Sequence, residues 1–415
     1  MSVAARRAFR SLQTMSTSGL SKPRLERMRD VMVGHVERGD MPGLVTLISR
    51  RGEAHVDAIG RMAFGGDNPM RRDTIFRIAS LTKPITAAAT MILVEECKLR
   101  LDEAVDRLLP ELADRRVLKR IDAPLGETVP AKRPITVRDL LTFRMGFGSV
   151  MAPPGTYPIQ KAMSDLQIGG DGPPHPSKTP TPDEWIRRLG TLPLMYQPGE
   201  RWLYNTGSDV LGVLIARASG QPFETFLRER FFAPLGMKDT GFSVPAEKID
   251  RLPGCYRRNP ETNVLEVYDD AGNSEWSRPP PLPSGAGGLV STVDDYLAFC
   301  QMMLNKGRYA RGRILSRPSV ELMTTDQLTP EQKAGADIFF GDNRGWGFGV
   351  AVTTRRDELW AVGRFGWDGG LGTSGYSDPG EDMVGILMTQ RLMESPQAPR
   401  VFVDFWTSAY QAIDD

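Results

Sequence analysis

Apolar and polar positions alternate along this chain in patterns that predict its elements in order. In "KPRLERMRDVMVGHVERGD", Leu25, Met28, Val31, Met32 and His35 fall at helical intervals and the run stops at Gly39, so a helix is expected there. "GLVTLISRRGEAHVDAIG" follows, and its Arg-Arg-Gly connection predicts the two strands of a hairpin. The stretch "FRIASLTKPITAAATMILVEE", residues 76 to 96, then opens a second helix. From about 102 to 284, helical stretches such as "VRDLLTF", "PDEWIRRLG" and "GSDVLGVLIARASG" alternate with Pro-rich and Gly-rich connections. Residues 148–182 are too long for an ordinary connector, which suggests a lid over a pocket or a surface insertion. "STVDDYLAFCQMMLNKG" marks the return to the main core, with Ser291 or Thr292 as N-cap and Tyr296, Phe299 and Met303 on one helical face. Beyond it, "WGFGVAVT", "ELWAVGRFGW" and "DMVGILMTQ" are short β-prone runs, and "VFVDFWTSAYQAI" closes the chain as a helix.

The expected fold class is therefore α+β, with an antiparallel sheet flanked by helices and assembled from both chain ends. Residues 25–101 and 285–415 are expected to form the α/β part, 102–284 a mostly helical inserted domain carrying the 148–182 lid, and 1–24 a flexible tail. A site belongs at the junction of the two parts.

Composition narrows the partners. Lys plus Arg number 52 and Asp plus Glu 51, a balance that removes the field drawing nucleic acid or anionic membrane to a whole surface. A small-molecule ligand is expected instead. The longest greasy stretch, "AAATMILV", is too short to cross a bilayer. The arginines and serines of the first twenty-five residues are followed by no apolar signal region, so a cytoplasmic location is expected. Cys97, Cys255 and Cys300 lack metal-site or disulfide spacing and are expected as reduced, buried thiols. No cofactor or metal is called for.

The chemistry begins at Ser80 and Lys83. Acyl transfer at a serine needs a group to take the hydroxyl proton, and histidine usually does so. Only His35, His55 and His175 are available, and no G-x-S-x-G elbow accompanies them, so structural roles are expected for all three. Lysine serves if its amine is neutral, and positions i and i+3 of a helix share a face. The helix N-terminus disfavours a cation by only about 0.3–1 kcal/mol. Bringing lysine from about 10.4 to neutrality needs burial, which supplies roughly three to five pKa units. Lys83 is therefore expected to be desolvated. Pro84 is tolerated because a first helical turn has no partner for its N–H. The two-letter spacing alone also fits a capping serine followed by an exposed lysine.

Two further boxes follow "IASLTKP" in order: "PGERWLYNTGSDVLG" at 198–212 and "GWDGGLGTSGYSDPG" at 366–380. Together they resemble the serine hydrolase family that joins class C β-lactamases, D-alanyl-D-alanine peptidases and family VIII carboxylesterases. The resemblance runs over roughly residues 25 to 410, through framing stretches such as "KLRLDEAV", "ITVRDLLT" and "GAGGLVSTVDDYLAF". It implies the transpeptidase-like fold of β-lactamases and penicillin-binding proteins, with Ser80 as nucleophile, Lys83 as base and Tyr204 sharing the proton work. A phenol is a usable base beside a cation or strong donors, which Lys83 is expected to provide. The resemblance also implies an oxyanion hole from the backbone N–H groups of Ser80 and Gly370, and substrate contacts from Asn205, Trp367, Asp368 and Gly369.

Three departures from the lactamase pattern bear on substrate. Trp367 stands where lactamases carry the lysine of their third box, as in the esterase branch, and aromatic surface there suits neutral esters. Asn205 directly follows Tyr204, with Thr206 in the next place where lactamases have Asn. "LLTFRMGFG" carries Phe143, Arg144, Met145 and Gly146 in place of His-Thr-Ser-Gly. The expected activity is cleavage of short to medium carboxylic esters. Acyl transfer and weak cephalosporin-type lactamase activity are the alternatives within the fold, and a non-catalytic ligand sensor or scaffold is the alternative outside enzymology.

Overall fold

The structure is a computed structural model and describes residues 18–169, 174–310 and 312–415. The expectations for a loose tail over 1–17 and for the centre of the lid, 170–173, lie outside those residues. Ser18, Gly19 and Leu20 are buried, and Leu20 bridges to Ile413, so this end of the expected tail is packed against the chain terminus.

Helix α1 is Lys22–Glu37. The hairpin follows as β1, Gly43–Arg50, and β2, Glu53–Gly60, joined at Arg51 and Gly52. Next come α2, Thr82–Glu95, and then, within the inserted region, α3, Thr206–Ser219. The chain re-enters the core through α4, Val293–Leu304, whose N-cap is Thr292: its hydroxyl accepts the Asp295 N–H. Five strands follow: β3 Arg344–Trp346, β4 Ala351–Thr353, β5 Phe365–Gly369, β6 Thr373–Asp378 and β7 Met383–Thr389. Helix α5, Arg400–Gln411, comes last.

These strands make one seven-stranded sheet in the order β3-β4-β5-β6-β7-β1-β2, antiparallel at every pairing. The N-terminal hairpin joins through β1 against β7, with Leu44 opposite Thr389 and Arg50 opposite Met383. The sheet thus draws on both ends of the chain. Strand β1 is buried along its whole length because both its faces are covered. Leu44 and Ile48 pack with Met28 and Met32 of α1 and with Phe402 and Phe405 of α5. Val45 and Leu47, on the alternate positions, join the larger core with α2 and α4. Each such buried side chain contributes about 1.5–3 kcal/mol.

Four details depart from the sequence pattern. "WGFGVAVT" is not one strand but the turn and flanks of the β3–β4 hairpin. Strand β6, "TSGYSD", gives no hydrophobic signal, yet all six of its residues are buried. Its small residues admit neighbours: a side chain on Gly375 would collide with the ring of Tyr296. The helical insertion also holds two small hairpins, Arg116–Leu118 with Thr128–Pro130 and Cys255–Arg258 with Leu265–Asp269. Finally, Cys255 and Cys300 are buried, with thiols pushed up to about 11 and about 12 by desolvation, whereas Cys97 is exposed just past the end of α2. Among the described residues no helix is long and apolar enough to cross a membrane.

The inserted region is locked to the segment before Ser80 by a buried ion pair. Arg77 donates from Nε to Asp269 at 2.8 Å and from Nη1 to the Pro253 carbonyl at 2.8 Å, while its guanidinium lies 5.3 Å from the Trp276 ring centroid. Both side chains are at most 5% exposed, so neither charge has water to fall back on. Removing one partner of such a pair costs about 3–5 kcal/mol. Asp269→Ala is accordingly expected to lower the unfolding free energy by that amount in urea titrations, far more than loss of an exposed pair such as Arg61–Asp67.

Candidate active site

Three chain segments meet at the mouth of one cavity of about 1080 Å³. The first is the corner between Phe76–Arg77 and α2. Ala79 there has φ 45°, a left-handed conformation that costs a non-glycine residue about 1–3 kcal/mol. It turns the chain so that Ser80, in a single 3-10 turn over Ala79–Leu81, borders the cavity at the head of α2. Thr373 Oγ1 steadies the corner by donating to the Ile78 carbonyl at 3.0 Å. Gly369 lets β5 approach it, since a methyl at that position would stand 2.5 Å from the same carbonyl oxygen.

Lys83 lies one helical turn on, wholly buried. Its Nζ is 2.9 Å from Ser80 Oγ and 2.6 Å from the Ala286 carbonyl oxygen. Desolvation pulls the amine down to about 7, against a smaller upward pull from the Asp209 carboxylate. This amine loses its charge near neutral pH. One of its hydrogens then bonds Ala286 O, and its lone pair is free to accept the Ser80 proton.

The second segment is the entry to α3. Asn205 adopts φ 82° and Tyr204 precedes it, with its hydroxyl 2.8 Å from Ser80 Oγ. The phenol was expected to be activated by the Lys83 cation, and the geometry corrects that expectation. Nζ sits 4.5 Å from the centroid of the Tyr204 ring, over its face, while the donor to the phenolic oxygen is Trp367 Nε1 at 2.7 Å. Burial dominates and pushes the phenol up to about 12, although the hydrogen bonds with Ser80 and Trp367 oppose it. Tyr204 is therefore neutral at rest and a proton donor to Ser80. Its ring is held by Phe143, Trp202, Phe339 and Trp367, with centroids 5.2–6.0 Å away. Phe143, the first residue of the divergent "FRMG" stretch, is thus part of the wall that fixes the phenol.

Strand β5 and its turn form the third segment. Trp367, Asp368 and Gly370 border the cavity, as does Asn205. The Asp368 carboxylate is engaged within the sheet, accepting from Ser374 Oγ at 2.6 Å and from the Tyr376 hydroxyl at 3.1 Å. Among the described residues, no turn or cap hydrogen bond between backbone groups uses the amide of Ser80 or of Gly370.

The lid stretch also borders the cavity, through Met151, Ile168, His175 and Lys178 among others. None of the histidines reaches Ser80. His35 lies between Asp40 and Asp404, joining α1 to α5, His55 pairs with Asp57, and His175 binds Glu275 at 2.7 Å. Sequence reasoning missed Asp209, five residues after Tyr204, whose carboxyl borders the cavity and is pushed up by desolvation.

The chain as a whole is similar to known proteins. The Beta-lactamase family model matches residues 28–402. Protein Rv1367c of Mycobacterium tuberculosis is 38% identical over 365 residues, covering 85% of this chain and 87% of its own length. Esterase EstB of Burkholderia gladioli is 30% identical over 377 residues, covering 86% and 88%. Among solved structures, EstCE1, a hydrolase with promiscuous acyltransferase activity, superposes with a TM-score of 0.78 at 24% identity, over 94% of this chain and 98% of EstCE1. A match that begins inside α1 and runs into α5 takes in the sheet and all three segments around Ser80, and on that ground the chain belongs to the Beta-lactamase family of serine hydrolases.

Proposed function

We propose that this protein hydrolyses carboxylic esters through an acyl-enzyme on Ser80. The observation that carries the reading is the placement of one hydroxyl oxygen between a buried amine at 2.9 Å and a phenol at 2.8 Å, open to a large cavity. Ser80 Oγ attacks the ester carbonyl carbon as its proton passes to Lys83 Nζ. The backbone N–H groups of Ser80 and Gly370 receive the oxyanion. As the bond to the alcohol breaks, Tyr204 gives its proton to the departing oxygen, and Trp367 Nε1 holds the phenolate that remains. Water then attacks the acyl carbon and gives its proton to the phenolate, and Ser80 Oγ takes back its own proton from the Lys83 ammonium as the acid is released.

Trp367 supports an ester over a lactam. A lysine at that place can pair with a substrate carboxylate, whereas the indole offers one N–H, already given to Tyr204. EstB, the relative at 30% identity, is named an esterase. The cavity, at about 1080 Å³, exceeds what a short-chain ester fills and favours a bulky acyl or alcohol part over the short to medium esters expected from sequence. That space also supports acyl transfer, since a large alcohol can occupy the place of the attacking water.

A fluorophosphonate is expected to label the wild type and not Ser80→Ala. Lys83→Ala and Tyr204→Phe are each expected to lose about 10²–10⁴-fold in kcat on p-nitrophenyl esters while keeping the wild-type circular dichroism spectrum. Faster turnover of nitrocefin than of any ester would reverse the substrate assignment. Because the base must be uncharged, kcat/KM is expected to fall as pH drops below about 7 and to level off above it. Trp367→Phe removes the donor to the phenol, and a neutral hydrogen bond contributes about 0.5–1.5 kcal/mol, so a fall in kcat of about 2- to 10-fold is expected in stopped-flow or steady-state assays.

A further inference from the structure

Nothing in the mechanism explains why Lys83 binds the carbonyl of Ala286 or what holds that carbonyl in place. Ala286 lies in a turn over Ser284–Gly288, closed by the bond from Gly288 N to Ser284 O at 3.0 Å. The turn belongs to no strand or helix. What ties it down is a carboxylate from the first turn of α3. Asp209 Oδ1 accepts from Ser284 Oγ at 2.6 Å and from Ala286 N at 3.1 Å. Ser284 Oγ in turn accepts from Gly287 N at 3.1 Å. The Ala286 residue is thereby gripped at its N–H by Asp209 and at its carbonyl by Lys83.

Two further contacts show the turn to be fitted rather than draped. Gly285 packs directly on the Ser208 carbonyl, leaving no room for a side chain. Thr86 Oγ1, one turn along α2 from Lys83, donates to the Gly285 carbonyl at 2.8 Å. The turn is clamped between α2 and the first turn of α3, and Asp209 supplies the α3 side of the clamp.

We propose that Asp209 is a positioning residue for Lys83: through Ser284 and the Ser284–Gly288 turn it fixes the Ala286 carbonyl, which takes one amine hydrogen and leaves the lone pair aimed at Ser80. This inference rests on the Ser80–Lys83 reading above. It has an electrostatic side as well. The charged group facing Asp209 is Lys83, from α2; Tyr204 covers the amine from the entry to α3, and His175 and Lys178 border the same cavity from the lid. The carboxylate favours the ammonium and so limits how far burial can pull the amine down. Asp209 therefore both aims the base and sets the pH at which it works.

The test is the rate at which a fluorophosphonate labels Ser80, followed against pH in full-length wild type, Asp209→Asn and Ser284→Ala, with thermal melts run alongside. Asn keeps an oxygen that can accept from Ser284 and Ala286 but removes the charge. In Asp209→Asn the acid limb is expected to move to lower pH by about one unit, the low end of the effect of a neighbouring charge. In Ser284→Ala the limb is expected to stay while the plateau rate falls about 3- to 10-fold, as the turn loses one of its ties. An unmoved limb in Asp209→Asn overturns the inference whatever happens to the plateau, as does a wild-type plateau in Ser284→Ala should the Asn variant fail to fold. Wild type that resists labelling at every pH overturns the acyl-enzyme reading itself, together with this inference.

Discussion

The chemistry proposed for this molecule depends on a single desolvated amine, that of Lys83. An exposed lysine holds its proton until roughly pH 10 and cannot take one from a serine at neutrality. Lys83 has no exposed surface, and that burial, not the helix dipole and not a neighbouring cation, accounts for most of its shift to about 7. The residues that shut out water also have to satisfy the amine's hydrogens. They do so with one backbone carbonyl, that of Ala286, at 2.6 Å, and leave the lone pair toward the Ser80 hydroxyl at 2.9 Å. A second acceptor would hold the lone pair elsewhere or favour the ammonium.

The fold supplies the enclosure from parts far apart in the chain. The left-handed corner at Ala79 and the head of α2 bring Ser80 and Lys83 together locally, but the cover comes from Tyr204 in the insertion and from the turn before α4. Strand β5 adds the indole that binds Tyr204, and the same strand can lie close to the corner only because residue 369 has no side chain. Strain at Ala79 is tolerated because the Thr373 hydroxyl and the packing of Ala79 with Leu371 hold it. Tyr204, hydrogen-bonded on both sides, completes a chain of hydrogen bonds through Trp367, Tyr204, Ser80 and Lys83, and the proton transfer proposed among the last three needs no imidazole.

The sequence revealed the local parts of this arrangement and concealed the non-local ones. Ser80 and Lys83 were legible because their spacing is that of one helical face, and the need for burial followed from the size of the pKa change. The sheet built from both chain ends was legible from the hairpin at 43–60 and the β-prone runs after 344, and the family pattern added Tyr204. Strand β6 was hidden because a strand enclosed by β5, β7 and α4 can be made of small polar residues, whose burial is satisfied by neighbours rather than announced by hydrophobicity. The role of Trp367 as donor to the phenol depends on a side-chain direction across 163 residues of separation. Asp209 is one of 51 acidic residues and carries no motif that sets it apart; only the folded turn at Ser284–Gly288 distinguishes it.

The charge state of Lys83 is open to direct measurement. In protein carrying ¹⁵N-labelled lysine, with the Lys83 signal assigned by its loss in Lys83→Arg, the Nζ resonance should titrate to the neutral-amine position with a midpoint near pH 7. An Nζ that stays ammonium up to roughly pH 10, in step with exposed lysines, would contradict a base kept uncharged by burial.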